Sequence, residues 1–341
     1  MGCIKPIGGL RAKKIKVGEQ MRYGMPYQGS KNAIAEWVVD NLPKADCFVD
    51  LFCGGCAVTH RALLSDKYKR FIANDIDGRL PKLFLDSTHG KYTTATHTEW
   101  ISREDFKARK DTDAWIALCW SFGNNGKDYL YSREIEPYKR AYHEAVFFNN
   151  LEPLKILGVE IQKSNGTTPR ERYNEYRRSI REWYSKIREL HELLSLEAWQ
   201  SFEVLRNLER LENLERLENL EALQNLEALQ NDYSSIIVPD NSVIYCDPPY
   251  SGTNCGKYSG FNSERFYEWA REQDNIYISE YNMPNDFIVI AERKKIILST
   301  ANGSSGKAVE RIYTNRRTYE RMGADGKRSV MLETAVQLSL F

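Results

Sequence analysis

No apolar run in this 341-residue chain approaches the roughly 20 residues that span a membrane, and the N-terminus has no signal-peptide core. A cytoplasmic protein with no membrane association is expected. Charge of one sign is also missing: 48 Lys and Arg face 47 Asp and Glu, a net charge of +1. That balance does not announce a nucleic-acid binder, so any basic surface must be local. A disulfide framework is absent as well. The seven cysteines, at positions 3, 47, 53, 56, 119, 246 and 255, are odd in number and scattered, which suits a reducing compartment. Cys53 and Cys56 form a single C-x-x-C, "CGGC", without the second pair or the histidines that close a zinc site. They read as small buried thiols in a tight turn, and no metal is expected. "MGCIKP" starts like a lipidated terminus but carries Pro6 where that pattern needs Ser or Thr.

Aromatic residues, by contrast, are plentiful at 12%, as a packed globular chain requires. "CFVDLFCGGCAVTHRALL" reads as strand, glycine turn and helix, and "RFIANDIDGRL" as a second strand ending in acid at Asp75. This is the logic of a nucleotide site at the carboxyl ends of parallel strands, where glycines admit the ligand and the acid takes ribose hydroxyls. The missing third glycine argues against a dinucleotide. Downstream, "VIYCD", "NIYISEY", "KKIILST" and "VERIYTN" are strand candidates, with helices expected at "SERFYEWAREQ" and "MPNDFIVIAERK". Such alternation implies an α/β fold with a mostly parallel sheet covered on both faces. "PRERYNEYRRSIREWYSKIREL" has seven basic and four acidic residues with interleaved aromatics, and suits either a strip for phosphates and bases or a solvated amphipathic helix.

An internal repeat follows. From Ser195 the chain runs SLEAWQ, SFEVLR, NLERLE, NLERLE, NLEALQ, NLEALQ, with apolar residues at the second and fifth places of each. Three residues advance an α-helix by about 300°, so leucines at that spacing circle a helix instead of striping it. A short β-solenoid keeps them inside and is favoured over a helix, whose case rests on the propensities of Leu, Glu, Ala, Arg and Gln. With eight Glu against three Arg the repeats read as a spacer or scaffold away from phosphates.

The strand "SVIYC" delivers Asp247, two prolines and Tyr250 to its tip. Prolines restrain Asp247 and Pro248 and offer no backbone N–H, so acceptors at the tip stay unclaimed. The blander reading is a tight turn after a strand. Taken in order, "YQGSK", "DLFCGG", "NDID" and "CDPPY" resemble the DNA adenine methylase (Dam) family of S-adenosylmethionine-dependent N6-adenine methyltransferases, and more closely its phage and prophage members. The resemblance covers most of the chain outside the repeats. It implies a Rossmann-like methyltransferase sheet of seven strands, S-adenosyl-L-methionine as cofactor and double-stranded DNA as partner. By the same resemblance Tyr27 and Lys31 touch the cofactor; Asp50, Phe52, Gly54 and Gly55 cradle its methionine end; Asp75 binds its ribose; Asp232 lies near its adenine; and Asp247 borders it. Asp247, Pro248, Pro249 and Tyr250 are the catalytic tip. The loop Ser121 to Ser132 resembles a DNA-contact loop, giving Asn124, Asn125 and Lys127 as DNA-binding candidates beside Arg177 and Arg178 of the basic strip.

The domain expectation is a catalytic domain from 1–94 and 231–334, a target-recognition insertion at 95–194, the repeats at 195–230 and a tail at 335–341. The tail's "QLSLF" resembles the pentapeptide by which bacterial DNA-processing proteins bind the polymerase sliding clamp, with Gln337, Leu338, Leu340 and Phe341 as contacts. Packing of the tail on the sheet is the alternative. Rival functions are transfer to cytosine N4 or to an RNA or protein amide, and a catalytically silent DNA-binding scaffold.

Overall fold

The computed structural model describes residues 22–186, 202–249, 260–298 and 305–324. Strands β1 (Cys47–Asp50), β2 (Arg70–Asn74), β3 (Leu226–Leu229), β4 (Ser242–Cys246) and β5 (Ile276–Glu280) pair in parallel. Strand β7 (Ser305–Thr314) runs antiparallel to β5 and pairs on its other side with β6 (Ile288–Leu298). The order β3-β2-β1-β4-β5-β7-β6 gives the expected seven-stranded, mostly parallel sheet. Alternation along the strands fills both faces. Phe48, Val243, Tyr245 and Tyr277 enter one hydrophobic cluster, whereas Val49, Ile244, Cys246 and Ile278 enter a second. The order reverses between β1 and β4, so a crevice opens at the carboxyl ends of those strands.

Helices α1 (Ala35–Asp40), α2 (Ala57–Leu63) and α3 (Arg79–Thr88) accompany the first strands. Between β2 and β3 come α4 (Arg103–Arg109), α5 (Ala114–Cys119), α6 (Glu136–Phe148), α7 (Glu152–Ile156) and α8 (Pro169–Lys186). Local chemistry sets their ends. Ser102 Oγ accepts the Asp105 N–H at 3.0 Å while the Asp105 carboxylate accepts the Ser102 N–H, a capping box at the start of α4. Buried Arg172 on α8 donates to the carbonyls of Val146 at 2.6 Å and Phe147 at 2.8 Å, which satisfies the end of α6 and docks the two helices.

The repeats form no β-solenoid among the described residues. They fold as α9 (Glu203–Glu212), then 3₁₀ turns at Asn213–Leu217 and Glu221–Asn225, and finally β3. The leucines that a continuous α-helix would spread round its circumference stay inside because the helix type changes. Leu205, Leu208 and Leu211 are buried within three turns of α9, before the 60° slip accumulates, and Leu214 and Leu217 follow on a 3₁₀ turn whose period is three. Leu226 then pairs into the sheet beside Phe71. The repeat is therefore not a detached spacer: its leucines belong to the same cluster as Phe48 and Phe84.

"MPNDFIVIAERK" was expected as a helix and is instead the start of β6, which begins at Ile288. The β-branched Ile288, Val289 and Ile290 suit a strand, and the backbone ladder with β7 outweighs the helical spacing. Among the described residues the remaining α-helices are α10 (Ser263–Arg271) and α11 (Arg316–Ala324). Among the described residues no helix is long and apolar enough to cross a membrane, and no cluster of three His, Cys, Asp or Glu is placed to hold a metal.

Candidate active site

A cavity of about 1000 Å³ opens at the carboxyl ends of the parallel strands. Its inner end is the turn after β1. Gly54 adopts φ +46°, and a Cβ there would lie 2.9 Å from the Tyr27 ring, while one on Gly55 would lie 2.6 Å from the Tyr27 Cβ. Both positions need glycine because Tyr27 lies flat against them. Cys53 and Cys56 sit buried in the same turn with their sulfurs 3.5 Å apart, and burial pushes both thiols up. They are neutral packing groups.

Asp75 fixes the turn from the tip of β2. Its Oδ2 accepts the Gly54 N–H at 3.0 Å and its Oδ1 the Asp77 N–H at 2.9 Å. Asn74, one residue earlier, donates to the carbonyls of Leu51 at 3.1 Å and Asn231 at 3.0 Å, and accepts the Asn231 N–H at 2.9 Å. This side chain carries the chain past β2 so that Asp232 reaches the cavity wall. Asp232 caps the following 3₁₀ turn through the Ser234 N–H at 3.0 Å, with Arg265 3.4 Å away. Phe52 completes this end, packed against Tyr233 at 5.4 Å and Phe261 at 5.8 Å between ring centres.

Asp50 lies beneath the turn, 1% exposed. One carboxylate oxygen accepts the Thr59 hydroxyl at 2.7 Å; among the described residues the other, Oδ1, has no hydrogen-bond partner. Burial pushes this carboxyl up to about 7; the Thr59 hydrogen bond opposes the shift, and Asp247 and Asp75 add to it. A buried carboxylate oxygen without a donor, lining a cavity, is matched by a cation.

At the other end Asp247, Pro248 and Pro249 extend from β4 into the cavity. Lys31 Nζ stands 2.8 Å from Asp247 Oδ1. Lys31 is 9% exposed, at the head of a 3₁₀ turn capped by Ser30. Burial alone would lower its ammonium, but Asp247, with Glu310 behind it, outweighs that and raises it. Thus Lys31, which the resemblance assigns to the cofactor, is brought to the carboxylate of Asp247. Tyr281 after β5 and Glu310 on β7 line the wall beyond.

The loop from Ser121 closes on itself through a bridge between Ser121 and Tyr129, and Asn125 Oδ1 accepts the backbone N–H groups of Lys127 at 2.8 Å and Asp128 at 3.1 Å. It is fastened to "YQGSK" by the Gln28 N–H, which donates to the Asn124 carbonyl at 3.2 Å. Asn124, Asn125 and Lys127 therefore line the cavity mouth. Arg177 and Arg178 are exposed on α8 and are not part of that lining. Tyr250, Gln337, Leu338, Leu340 and Phe341 lie outside the described residues.

Four lining residues escape a reading of the sequence. Ile76, 56% exposed, directly follows Asp75, and an apolar residue between two acids in "NDID" was its only signal. Arg210 enters from the repeats, donating to the carbonyls of Tyr23 at 2.8 Å and Gly24 at 3.0 Å. Tyr281 and Glu310 arrive through the pairing of β5 with β7, which no local pattern announces.

A search of the curated proteins finds no match to the chain. The model of one family, the D12 class N6 adenine-specific DNA methyltransferases, matches residues 27–289, a span that holds the glycine turn, the helical insertion, the repeats and the Asp247 tip together. With the crevice between β1 and β4 inside that span, the chain belongs to the D12 class N6 adenine-specific DNA methyltransferases.

Proposed function

We propose that the chain transfers a methyl group from S-adenosyl-L-methionine to the N6 amino group of an adenine flipped out of duplex DNA. The observation that carries this reading is one continuous cavity of about 1000 Å³ with the glycine turn and Asp50 at one end and Asp247 with Pro248 at the other. That volume is at the upper end for a single ligand and suits a cofactor and a base side by side. The residues fit the cofactor: the Gly54–Gly55 turn has no room for a Cβ, and Asp50 offers a buried oxygen lacking a donor to a positively charged ligand. Bound there, S-adenosylmethionine supplies an electrophilic methyl on its sulfonium sulfur.

The chain's own residues do the rest. An adenine amino nitrogen is a weak nucleophile because its lone pair is delocalised into the ring. Asp247 and the Pro248 carbonyl accept its two hydrogens, which makes the nitrogen more tetrahedral and frees the lone pair for in-line attack. As the N–C bond forms, the methyl–sulfur bond would break to leave a neutral thioether, and the nitrogen sheds a proton that Asp247 takes toward solvent. Tyr250 stacks on the base, offsetting about 1 to 3 kcal/mol of the few kcal/mol that flipping costs. Asn124, Asn125 and Lys127 at the mouth, with Arg177 and Arg178 on α8, contact the duplex.

Labelled-methyl transfer to duplex DNA followed by nucleoside analysis tests the reading. N6-methyladenine is expected from the wild type and none from Asp247→Ala, with cofactor binding retained. N4-methylcytosine, label on RNA or protein, or no transfer despite tight DNA binding would overturn it.

A further inference from the structure

Strands β6 and β7 outrun the sheet. Strand β5 meets β7 only from Ile278 opposite Tyr313 to Glu280 opposite Arg311. The ladder between β6 and β7 continues through Arg293–Glu310, Lys294–Val309, Lys295–Ala308, Ile296–Lys307, Ile297–Gly306 and Leu298–Ser305. Those six further rungs extend the ribbon about 20 Å past the end of β5. The direction follows from topology. Strand β7 is antiparallel to β5, so its early residues project beyond the carboxyl end of the parallel strands, the side where the cavity opens. Glu310, at the root of the ribbon, lines that cavity.

The composition of this arm is one-sided. Its paired stretches 293–298 and 305–309 contain Arg293, Lys294, Lys295 and Lys307 and no acid, in a chain whose net charge is +1. Arg293 and Lys294 are exposed, and among the described residues no ion pair holds either. Their neighbour Glu292, by contrast, is paired with Arg311 at 2.7 Å. The loop carrying Lys127 borders the same cavity as Glu310.

We infer that the β6–β7 arm is a DNA-binding element whose basic residues grip the sugar–phosphate backbone flanking the target base. The inference rests on the proposed function and adds a second anchor to it besides the Ser121 to Ser132 loop. Contacts of this kind position the duplex without reading sequence. They also make affinity salt-dependent, because each phosphate neutralised releases counterions.

The alternative occupant is a second copy of this chain. Strand β6 is the sheet edge, and lysines on an edge strand serve elsewhere to prevent pairing between copies. One set of measurements separates the two. In the full-length enzyme Arg293→Thr, Lys294→Thr and Lys295→Thr are combined, and duplex binding is followed against salt concentration by fluorescence anisotropy. The slope of log K against log salt becomes shallower by about 2 to 3, near 0.9 per lost phosphate contact. The DNA KM rises at least tenfold at physiological salt while the cofactor Kd stays unchanged. The charge-preserving pair Lys294→Arg and Lys295→Arg keeps the wild-type slope, which guards against misfolding of the neutral variant. An unchanged slope and KM in a folded neutral variant overturns the inference, as does a shift to dimers with DNA affinity intact. In those cases wild-type methylation of adenine leaves the proposed function standing. A wild type that binds no duplex removes both.

Discussion

Lys31 Nζ and Asp247 Oδ1 are 2.8 Å apart in the lining of the cavity, joining the first motif of the chain to the last. The lysine is buried and cannot leave without stranding Asp247 near Asp50 and Glu310. On the proposed reaction it would be a positioning residue for the carboxylate that meets the amino group. Lys31→Met is expected to lower kcat about 100-fold, the scale at which small misplacements of a reacting group are felt. Cofactor affinity, measured by calorimetry, stays near the wild-type value. Adding Lys31→Met to Asp247→Asn should cost little more activity, because the two act as one unit. A large loss of cofactor affinity with kcat intact would return Lys31 to the cofactor.

If Asp50 meets a cationic cofactor, as proposed, it should tie stability to ligand binding. Its carboxyl titrates at about 7 in the folded chain, raised from 3.8 chiefly by burial. The sign follows directly: an acid whose folded pKa is raised is tolerated below the unfolded value and destabilises the fold increasingly as pH rises to about 7. Asp50→Asn should therefore raise Tm at pH 8 and leave it nearly unchanged at pH 4. A cationic ligand favours the ionised form, so wild-type affinity for S-adenosylmethionine should climb up to about tenfold per pH unit below 7 and then flatten, a linkage that Asp50→Asn abolishes. Thermal melts at pH 4 and 8 read the first effect, and calorimetric titrations from pH 5.5 to 8 the second. Affinity that is flat across this range in the wild type refutes the assignment.

Arg210 makes the repeats part of the enzyme. Its guanidinium holds the carbonyls of Tyr23 and Gly24, just before "YQGSK", and burial draws it down to about 10. Arg210→Ala leaves two half-buried carbonyls without these donors, a loss of about 1 to 3 kcal/mol. Removal of the whole hexapeptide 207–212 keeps the period yet deletes buried Leu208 and Leu211 and shortens the path from α9 to β3. Thermal melts should show a modest shift for the first and no cooperative transition for the second. An active, folded deletion would mean that the repeats are interchangeable after all.

The strands and the site were legible in the sequence to different depths. Phe48 to Asp50 and Val243 to Cys246 are short apolar runs bounded by turn chemistry, so their burial on both faces could be read locally. Gly54, Gly55, Asp75 and Asp247 follow because each closes a strand, and strand tips in parallel sheets converge on one edge. Failure came where the outcome hangs on partners distant in sequence. Leucines at every third position fit several conformations equally, and the cluster around Phe84 together with β2 selects a helix that tightens to 3₁₀ and ends as a strand. Ile288 to Ile290 become strand only because β7 pairs with them. Glu310 reaches the cavity through the pairing of β7 and Arg210 through the docking of α9 against Tyr23 and Gly24, which is why neither carried a signal.

The segment Gln337 to Phe341 lies outside the described residues, and its letters alone carry the last prediction. "QLSLF" places three apolar side chains, Leu338, Leu340 and Phe341, beside a glutamine that can bond a pocket rim. Small interfaces draw most of their energy from a few such anchors. We propose that this segment binds the sliding clamp of a bacterial replicative polymerase, which would raise the local concentration of the enzyme on newly made DNA without altering its site. Two measurements on full-length protein and on a variant lacking residues 337–341 decide it. Methylation of a short duplex, which carries no clamp, should be the same for both. In a surface-binding assay the full-length chain should bind immobilised clamp, and the truncated one should not. Equal clamp binding by both forms would place the contact elsewhere. A truncation that melts at lower temperature would show that Leu338, Leu340 and Phe341 pack on the sheet instead.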